Sequence, residues 1–434
     1  MTRRTPSPPS AADRRFLLLQ GPHGPFFARL GDLLRAAGAE VWRVGFNRGD
    51  EFFWRRRNYV AFRAPFDEWE THLTGLLANL SITDLVLYGD SRPIHATAIR
   101  LAKERGLRVH VFEEGYLRPY WITYERDGSN GNSRLMQLDL STMRAALARP
   151  GAEHPAAPVR WGDMREHMFY GALYHFLILT LNHAYPGHLP HREINVTREA
   201  RLHLRRFLAM PFVRIRRRLA EWRIRRSGFP YHLVLLQLEH DASFRAHSDF
   251  ASMADFVTLC LDAFARGAAA HHHLVFKAHP LEDGRVPLAR LIREGAAARG
   301  LSTRVHFVTG GKLAQLLREA ASAVTVNSTA AQQALWRGLP VKLLGRAVYD
   351  KPEFVSPQPL ADFFATPSRP DSRAYSDYRQ FLLETSQIPG GFYSSRGRRR
   401  ALRRVVDMML APHDPYVTLL QADAAERQHI RVVS

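Results

Sequence analysis

The chain has 434 residues, of which 46% are hydrophobic and 24% charged, and its formal net charge is +20 at pH 7. These proportions exclude a mainly disordered or fibrous protein, and the length allows about two or three globular domains. A single cysteine, Cys260, excludes an internal disulfide framework and fits a reducing compartment. Its position in an apolar run predicts a buried core residue. The positive charge attracts polyanions but does not choose between nucleic acid, anionic lipid and acidic glycan.

No segment of the sequence has the pattern of a membrane anchor. Residues 1–15 carry charges and prolines but no apolar stretch of signal-peptide length. The most apolar segment, residues 169–181, is interrupted by His175 and is shorter than the roughly 20 residues that a membrane span needs. We therefore expect a cytoplasmic protein without a transmembrane helix.

Strand and helix patterns alternate in the first third of the chain. Helical apolar spacing occurs at 26–37 and 93–105, between short apolar runs that predict buried strands at 16–20, 41–44, 84–88 and 107–112. This alternation is typical of a parallel, doubly wound sheet. We predict a first Rossmann-like domain over residues 14–164.

The next segment, residues 165–228, keeps helical apolar spacing, but its charged residues are mostly basic. Glu221 is the one acid between Arg201 and Arg226, a stretch that contains ten arginines: 201, 205, 206, 214, 216, 217, 218, 223, 225 and 226. We predict a helical, basic connector.

The alternation then resumes. Helices are predicted at 250–265, 313–320 and 329–337, between strands at 233–237, 274–277, 304–308, 323–326 and 339–344. These elements predict a second Rossmann-like domain over 229–354, followed by a helical tail over 355–434. The expected fold class is α/β, with two Rossmann-like domains facing across a cleft in a GT-B-like arrangement.

Unusual polar motifs occupy the carboxyl ends of the predicted strands, where open α/β sheets bind their ligands. There are five: Gly89-Asp90-Ser91, Glu113-Glu114-Gly115, Gln237 to Asp241, Lys277-Ala278-His279-Pro280 and Asn327-Ser328-Thr329. Their shared position indicates a binding site more strongly than any single motif does.

In the second half, Asn327-Ser328-Thr329 leads into a predicted helix whose free N–H groups suit a phosphate, although simple capping, with Thr329 and Gln332 spaced as a capping box, gives the same pattern. His279 can donate to a phosphate or act as general acid. Asp241 suits a nucleophile or base that Gln237 orients, and a loop of solvated acids is the alternative.

In the first half, Glu113 or Glu114 could be the base for an acceptor hydroxyl, with Gly115 admitting a ligand close to the backbone. A solvated turn is the alternative.

Dinucleotide, Walker A and G-x-S-x-G patterns are absent, which disfavours hydride transfer, ATP hydrolysis and serine hydrolysis. The run from His271 to His273 lacks partners at metal-ligand spacing, and no metal is expected. The arginine run suits an anionic membrane surface, nucleic acid or a solvated helix face.

Several of these motifs together resemble the KpsS/LipB family of capsule polysaccharide proteins. The resemblance covers roughly residues 16–355 and includes 19–22, 45–54, 88–93, 113–119, 121–125, Gln237-x-x-x-Asp241, Lys277-Ala278-His279-Pro280 and Val326-Asn327-Ser328-Thr329-Ala330. The basic run and the tail carry no part of it.

The resemblance implies a β-Kdo transferase that uses CMP-Kdo, the CMP-activated form of 3-deoxy-D-manno-octulosonic acid, and places the first Kdo on lysophosphatidylglycerol. It implies a retaining reaction with Asp241 as nucleophile, Glu113 or Glu114 near the acceptor, and no cofactor. Substrate-binding residues are expected at Gln237, Lys277, Pro280, Asn327, Ser328, Thr329, Gly115, Asp90 and Ser91. The expected location is the inner membrane surface, with other capsule synthesis or export proteins as partners and no nucleic acid. The alternative is a non-catalytic export component that binds acidic glycan through its arginines.

Overall fold

A computed structural model describes residues 11–147, 164–187 and 226–421, except 281 and 283, together with 222 and 224. The chain divides into two compact units. Unit 1 comprises Met1–Arg134, Ser141–His191 and Gln380–Ser434, and unit 2 comprises Leu135–Leu140 and Arg192–Arg379.

The strands of the described residues form one sheet in each unit. Their bounds are β1 Arg15–Leu18, β2 Glu40–Gly45, β3 Tyr59–Ala61, β4 Asp84–Tyr88, β5 Arg108–Glu114, β6 Trp121–Arg126, β7 Tyr231–Leu235, β8 His273–Lys277, β9 Val305–Val308, β10 Ala320–Thr325, β11 Val341–Leu343 and β12 Gln387–Pro389. The order is β12-β6-β5-β4-β1-β2-β3 in unit 1 and β11-β10-β7-β8-β9 in unit 2.

Helices connect these strands. Their bounds in the described residues are α1 Phe26–Ala36, α2 Arg48–Trp54, α3 Trp69–Asn79, α4 Pro93–Glu104, α5 Leu140–Leu147, α6 Met164–Leu181, α7 Ala242–Ala246, α8 Met253–Gly267, α9 Leu288–Ala297, α10 Leu313–Glu319, α11 Gln332–Leu335, α12 Leu360–Ala365, α13 Ser372–Thr385, α14 Ser395–Leu410 and α15 Pro415–Gln421.

The predicted α/β class with parallel sheets is confirmed within each unit. All pairings in the unit 2 sheet are parallel. In unit 1, β3, β2, β1, β4 and β5 are parallel neighbours, whereas β6 pairs antiparallel with β5 and β12 antiparallel with β6. The strands β3, β6 and β12 were not among the predicted elements.

The unit 1 sheet is covered on both faces because alternate strand residues point to opposite sides. Phe16 and Leu18 of β1 belong to one apolar cluster, and Leu17 belongs to the other. Helix α14 supplies Leu402 and Val405 to the first cluster. This part of the predicted tail is therefore a component of the unit 1 core.

A buried ionic group lies at the amino ends of β1 and β4. Arg14 donates to Asp84 through Nε at 2.7 Å, and Nε2 of His110 lies 2.8 Å from Asp84. Burial favours a higher pKa for Asp84, but the hydrogen bonds from Arg14 and His110 outweigh it and lower that pKa. Burial lowers the pKa of His110 to about 4. This ionic group lies at the end of the unit 1 sheet opposite the carboxyl ends of its parallel strands. Its hydrogen bonds hold these strands together.

The carboxyl group of Glu125 in β6 is also buried. It accepts hydrogen bonds from Tyr116 and Ser133, both at 2.6 Å, and from Tyr416. Burial raises its pKa to about 7, although these three hydrogen bonds act in the opposite direction.

This raised pKa predicts a pH-dependent stability. Because the folded chain holds the proton more tightly than the unfolded chain, the stabilisation is complete below the ordinary pKa of 4.5 and is lost as the pH rises through about 7. The loss is about 3 kcal/mol between these limits. We expect the Glu125→Gln variant to lack this part of the slope when urea unfolding is measured at a series of pH values spanning both limits. Equal slopes in wild type and variant would contradict the assignment.

The core of unit 2 contains Cys260. Its burial confirms the predicted core position and raises the pKa of its thiol.

The short segment Leu135–Leu140 belongs to unit 2 and is joined to it through Lys351. The ammonium of Lys351 donates to the carbonyl oxygens of Leu135 at 2.8 Å and Leu138 at 2.6 Å.

The described residues of the predicted connector and tail belong to the two compact units. The connector begins with α6, which is part of unit 1, and the tail is divided at Arg379 between the two units. Of the arginine run 201–226, only residues 222, 224 and 226 are described, so the predictions for that run lie outside the described residues. Among the described residues, no helix combines the length and apolar composition that crossing a bilayer requires.

Candidate functional site

Three of the predicted motifs meet at the carboxyl edge of the unit 2 sheet. The strands β10, β7 and β8 are parallel neighbours, so their carboxyl ends lie side by side. Asn327, Gln237 and His279 each stand two residues beyond the end of one of these strands. The sheet therefore brings together side chains that are up to 90 residues apart in the chain.

Gln237 and Asn327 hold this edge together. Nε2 of Gln237 donates to Oδ1 of Asn327 at 2.7 Å, and Oε1 of Gln237 accepts from the Asn327 backbone N–H at 3.0 Å. The Asn327 amide also donates to the carbonyl oxygens of Ser243 at 2.9 Å and His247 at 3.2 Å. Both side chains are buried. Their hydrogen bonds position the loops around them, and their contact with substrate stays a prediction.

Asp241 stands at the start of α7, which the Asn327 amide ties to this edge. Its Oδ1 accepts from the Ser243 N–H at 3.1 Å, so Asp241 is the N-cap of the helix. The residue is exposed. The carboxylate is thus held by one hydrogen bond and is accessible to a ligand.

The loop after β10 differs from the prediction. Ser328, not Thr329, is the N-cap, with its Oγ accepting from the Ala330 N–H at 3.3 Å, so the predicted capping box between Thr329 and Gln332 is wrong. The predicted helix is a three-residue 3-10 turn, Thr329–Ala331, followed by the four residues of α11. A helix this short has a small macrodipole.

The predicted supply of free N–H groups in this loop is also wrong in part. The N–H of Asn327 donates to Gln237, that of Ser328 to Thr325 Oγ1 at 3.4 Å, and that of Ala330 to Ser328. A phosphate bound here would depend on side chains more than on these three backbone donors. Ser328 and Thr329 are half-buried residues.

The motif after β8 divides into a buried and a more accessible part. Lys277 is buried, and its Nζ donates to the Ala278 carbonyl at 3.3 Å. His279 is half-buried, its carbonyl accepts from the Glu282 N–H at 3.0 Å, and Pro280 is exposed. His279 is therefore the member of this motif best placed to meet a ligand.

In unit 1, Glu113 and Glu114 are the last residues of β5, not the turn after it. They pair with Thr123 and Ile122 of β6, a strand that the sequence patterns did not reveal. The alternative of a solvated turn is thus excluded.

The two carboxylates have different surroundings. Oε1 of Glu114 accepts from the hydroxyls of Tyr88 and Tyr393, both at 3.2 Å. Oε1 of Glu113 accepts from the Glu114 N–H at 2.9 Å. Burial raises the pKa of Tyr88 well above its usual value, and Glu114 raises it further, so Tyr88 remains a hydrogen-bond donor.

The other predicted residues of unit 1 support the fold. Asp90 is buried and accepts from the Ser91 hydroxyl at 3.0 Å and the Ser129 N–H at 2.8 Å. A Cβ atom at position 115 would lie 2.3 Å from the carbonyl oxygen of Trp121. Gly115 is therefore required by this close approach of the chain to itself, and its approach to a ligand stays a prediction.

A buried polar network beside these groups was not predicted. Gln20, just after β1, accepts from Arg92 at 2.7 Å and donates to the Tyr174 hydroxyl at 2.9 Å. That hydroxyl also accepts from Asn47 at 2.7 Å and donates to Asp50 at 3.3 Å. Gln20 and Arg92 could have been found from their positions after strands, but Tyr174 lies within an apolar helical segment and gives no such signal.

The predicted site residues thus form one group in each unit, with Gln237, Asp241, His279 and Asn327 in unit 2 and Glu113 and Glu114 in unit 1. Within the described part of the chain, no three His, Cys, Asp or Glu side chains form a set that could hold a metal ion.

Comparison with known proteins gives the family. Residues 83–393 match the family model described as capsule polysaccharide biosynthesis protein. The chain is 31% identical over 384 residues to the capsule polysaccharide export protein KpsS of Escherichia coli, covering 88% of this chain and 97% of KpsS. It is 33% identical over 391 residues to the capsule polysaccharide modification protein LipB of Neisseria meningitidis serogroup A / serotype 4A, covering 87% of this chain and 91% of LipB.

Among solved structures, the Thermosulfurimonas dismutans KpsC β-Kdo 2,7 transferase is similar at 12% identity and a TM-score of 0.43, over 91% of this chain and 100% of that one. The family model spans most of the chain, and the sequence relatives are matched along nearly their whole length. The chain therefore belongs to the capsule polysaccharide biosynthesis protein family.

Proposed function

We propose that this protein is a glycosyltransferase that transfers Kdo from CMP-Kdo to a lysophosphatidylglycerol or phosphatidylglycerol acceptor and so starts the linker of a capsular polysaccharide. The observation that carries the proposal is the meeting of the Gln237–Asp241, His279 and Asn327–Ser328 motifs at one edge of a parallel sheet. This is the edge at which open α/β sheets bind nucleotides. Membership of a capsule polysaccharide biosynthesis family supports it.

Unit 2 is the donor-binding part in this proposal. The imidazole of His279 and the hydroxyls of Ser328 and Thr329, all on half-buried residues, are the proposed ligands of the CMP phosphate. Fixed donors of this kind stabilise the charge that develops on a departing phosphate. The reaction as proposed needs no cofactor.

Asp241 is the proposed nucleophile. Its carboxylate attacks C2 of Kdo, the bond from C2 to the phosphate oxygen breaks, and CMP leaves with the electron pair. The acceptor hydroxyl then attacks C2, the bond to Asp241 breaks, and the carboxylate is restored. Two displacements at the same carbon retain its configuration.

Glu114 of unit 1 is the proposed base that takes the proton of the acceptor hydroxyl. The choice over Glu113 is supported by the hydroxyls of Tyr88 and Tyr393, which hold the Glu114 carboxylate in place at 3.2 Å. A carboxylate fixed by two neutral donors keeps its orientation while it receives a proton.

The lipid acceptor places the proposed reaction at the inner membrane surface. A peripheral protein that meets anionic lipid there fits the net charge of +20. Other capsule synthesis and export proteins are its proposed partners.

The test is a transfer assay with purified full-length protein, CMP-Kdo and lysophosphatidylglycerol, in the presence of EDTA. We expect release of CMP together with a glycolipid that is heavier by one Kdo residue in mass spectrometry. A folded sample that gives neither product with or without added divalent metal would reject the proposal.

A second candidate function is non-catalytic binding of acidic capsule glycan. The similarity to KpsS of Escherichia coli, a capsule polysaccharide export protein, favours it. This function predicts salt-sensitive polymer binding that His279→Ala leaves unchanged, with no turnover of CMP-Kdo.

A further inference from the structure

Arg92 is a half-buried cation just beyond the carboxyl end of β4. Its Nη1 donates to the side-chain oxygen of Gln20 at 2.7 Å. Within the described part of the chain, no carboxylate forms an ion pair with Arg92, and its Nε and Nη2 donate to no other group. These two nitrogens are not among the buried atoms that lack a partner, so they remain accessible. Arginine is seldom withdrawn from water unless it is paired, and this guanidinium therefore suits an anionic ligand.

Gln20 presents its oxygen to Arg92 because its NH2 group is bonded elsewhere. Nε2 of Gln20 donates to the Tyr174 hydroxyl at 2.9 Å and to Asp50 at 3.4 Å. Asp50 in turn forms an ion pair with Arg43 at 3.2 Å, and both of these side chains are buried. The charge of Asp50 is therefore balanced by Arg43, and a neutral oxygen faces Arg92. The network holds Arg92 in place without neutralising its charge.

Tyr88 links Arg92 to the proposed base. The guanidinium of Arg92 lies 5.8 Å from the centre of the Tyr88 ring, and the Tyr88 hydroxyl donates to Glu114 at 3.2 Å. In the sheet, β4 lies between β5, which ends in Glu113 and Glu114, and β1, which Gln20 follows. Arg92 is therefore on the β1 side of Tyr88, and Glu114 is on its β5 side.

We propose that Arg92 binds the phosphate of the acceptor headgroup and so selects the acceptor whose hydroxyl Glu114 deprotonates. This inference rests on the proposed function. A phosphoglycerol headgroup carries its phosphate at one end of the glycerol and a free hydroxyl at the other. A cation and a base on opposite sides of one tyrosine match that arrangement. The guanidinium can hold two phosphate oxygens at once through Nε and Nη2, the nitrogens that Gln20 does not use.

The carboxylate of Kdo is the alternative anion for Arg92. The acceptor phosphate is favoured because Arg92 belongs to the same unit as Glu114 and is linked to it through Tyr88, whereas the proposed donor-binding groups belong to unit 2. The two anions are separated by the experiment below.

The test is the affinity of the full chain for glycerophosphoglycerol, a soluble form of the headgroup, measured by calorimetry without donor. We expect Arg92→Gln to weaken binding on the order of tenfold or more, because glutamine still donates hydrogen bonds but carries no charge. Arg92→Lys should keep part of the affinity, since the charge remains without the planar fork. Diglycerol, which has hydroxyls but no phosphate, should bind wild type and Arg92→Gln equally weakly.

The matched control is Arg35→Gln. Arg35 is also half-buried, and its guanidinium lies 5.1 Å from an aromatic ring, that of Trp54. It stands in the last turn of α1, where the chain turns towards the amino end of β2, at the edge opposite Arg92. We expect this variant to bind glycerophosphoglycerol like wild type. Circular dichroism verifies that each variant is folded.

In turnover, Arg92→Gln should act mainly on the KM for lysophosphatidylglycerol and leave the affinity for CMP unchanged. The proposal is overturned if folded wild type does not bind glycerophosphoglycerol, or if Arg92→Gln binds it as tightly as wild type does. A raised KM for CMP-Kdo with unchanged headgroup affinity would assign Arg92 to the Kdo carboxylate and would also overturn it.

Failure of this inference can be distinguished from failure of the proposed function. Headgroup binding that depends on Arg92, in a protein that transfers no Kdo, would count against the proposed function. Kdo transfer with an acceptor KM that Arg92→Gln leaves unchanged would count against the role of Arg92 alone.

Discussion

Asp241→Asn is expected to abolish Kdo transfer, with a loss of at least about a thousandfold in kcat, while the affinity for CMP stays within about twofold of wild type. Asparagine caps a helix about as well as aspartate, so the Ser243 N–H keeps its acceptor and α7 keeps its start. The amide cannot form the ester with C2 of Kdo. Activity is measured as glycolipid formation, and CMP affinity is measured by calorimetry.

The control for this prediction is Asp255→Asn. Asp255 also accepts hydrogen bonds at the start of a helix, where it completes a capping box with Ser252, but it is not one of the proposed catalytic or binding residues. We expect this variant to retain activity. Trapping a covalent Kdo adduct on wild type but not on Asp241→Asn would identify the nucleophile directly, and undiminished turnover by Asp241→Asn would remove the residue from that role.

Arg14→Met is expected to lower the free energy of unfolding by about 3–5 kcal/mol, because it removes the buried cationic partner of the Asp84 carboxylate and leaves the half-buried Arg108, at 3.8 Å, as its ion-pair partner. Arg14 and Asp84 are 2% and 0% exposed. Arg14 also donates to the carbonyl oxygen of Met409 in α14 at 3.1 Å, so its loss loosens the contact between the first and last parts of unit 1. Urea unfolding followed by far-ultraviolet circular dichroism measures the change.

The matched variant is Arg15→Met. Arg15 is adjacent in the sequence, but it is 41% exposed and its ion pair with Glu40 is long, at 3.8 Å. An exposed pair of this kind contributes little, so a change of less than about 1 kcal/mol is expected. Similar losses of unfolding free energy in the two variants would show that the Arg14–Asp84 pair does not contribute the proposed stabilisation.

Most strands of both sheets could be predicted because their residues are buried on both faces and read as short apolar runs. The same pattern located the polar motifs at the strand ends, and the Gln237–Asn327 hydrogen bonds show that two of these motifs meet. The edge strands β3 and β12 are only three residues long, which is too short for a periodic signal.

The differences between the predicted site and the observed site have local and long-range causes. The shift of the N-cap from Thr329 to Ser328 is a one-residue error, since either hydroxyl can cap. Glu113 and Glu114 were placed just after a strand predicted to end at residue 112, because charged residues usually end a buried strand, and their pairing with β6 extends that strand to Glu114. The contact of Tyr393 with Glu114 spans 279 residues, and no short pattern reveals it.

Unit 2 interrupts unit 1, because the final strand and helices of the chain return to the sheet with which the chain begins. Shortening the chain at residue 379 would remove β12 and α14 and uncover the apolar side of β1. During synthesis, unit 1 must wait for its last helices to emerge, while residues 192–379 are already available to fold. The nascent amino-terminal half therefore carries an incomplete core for most of translation and is the part most in need of chaperone protection.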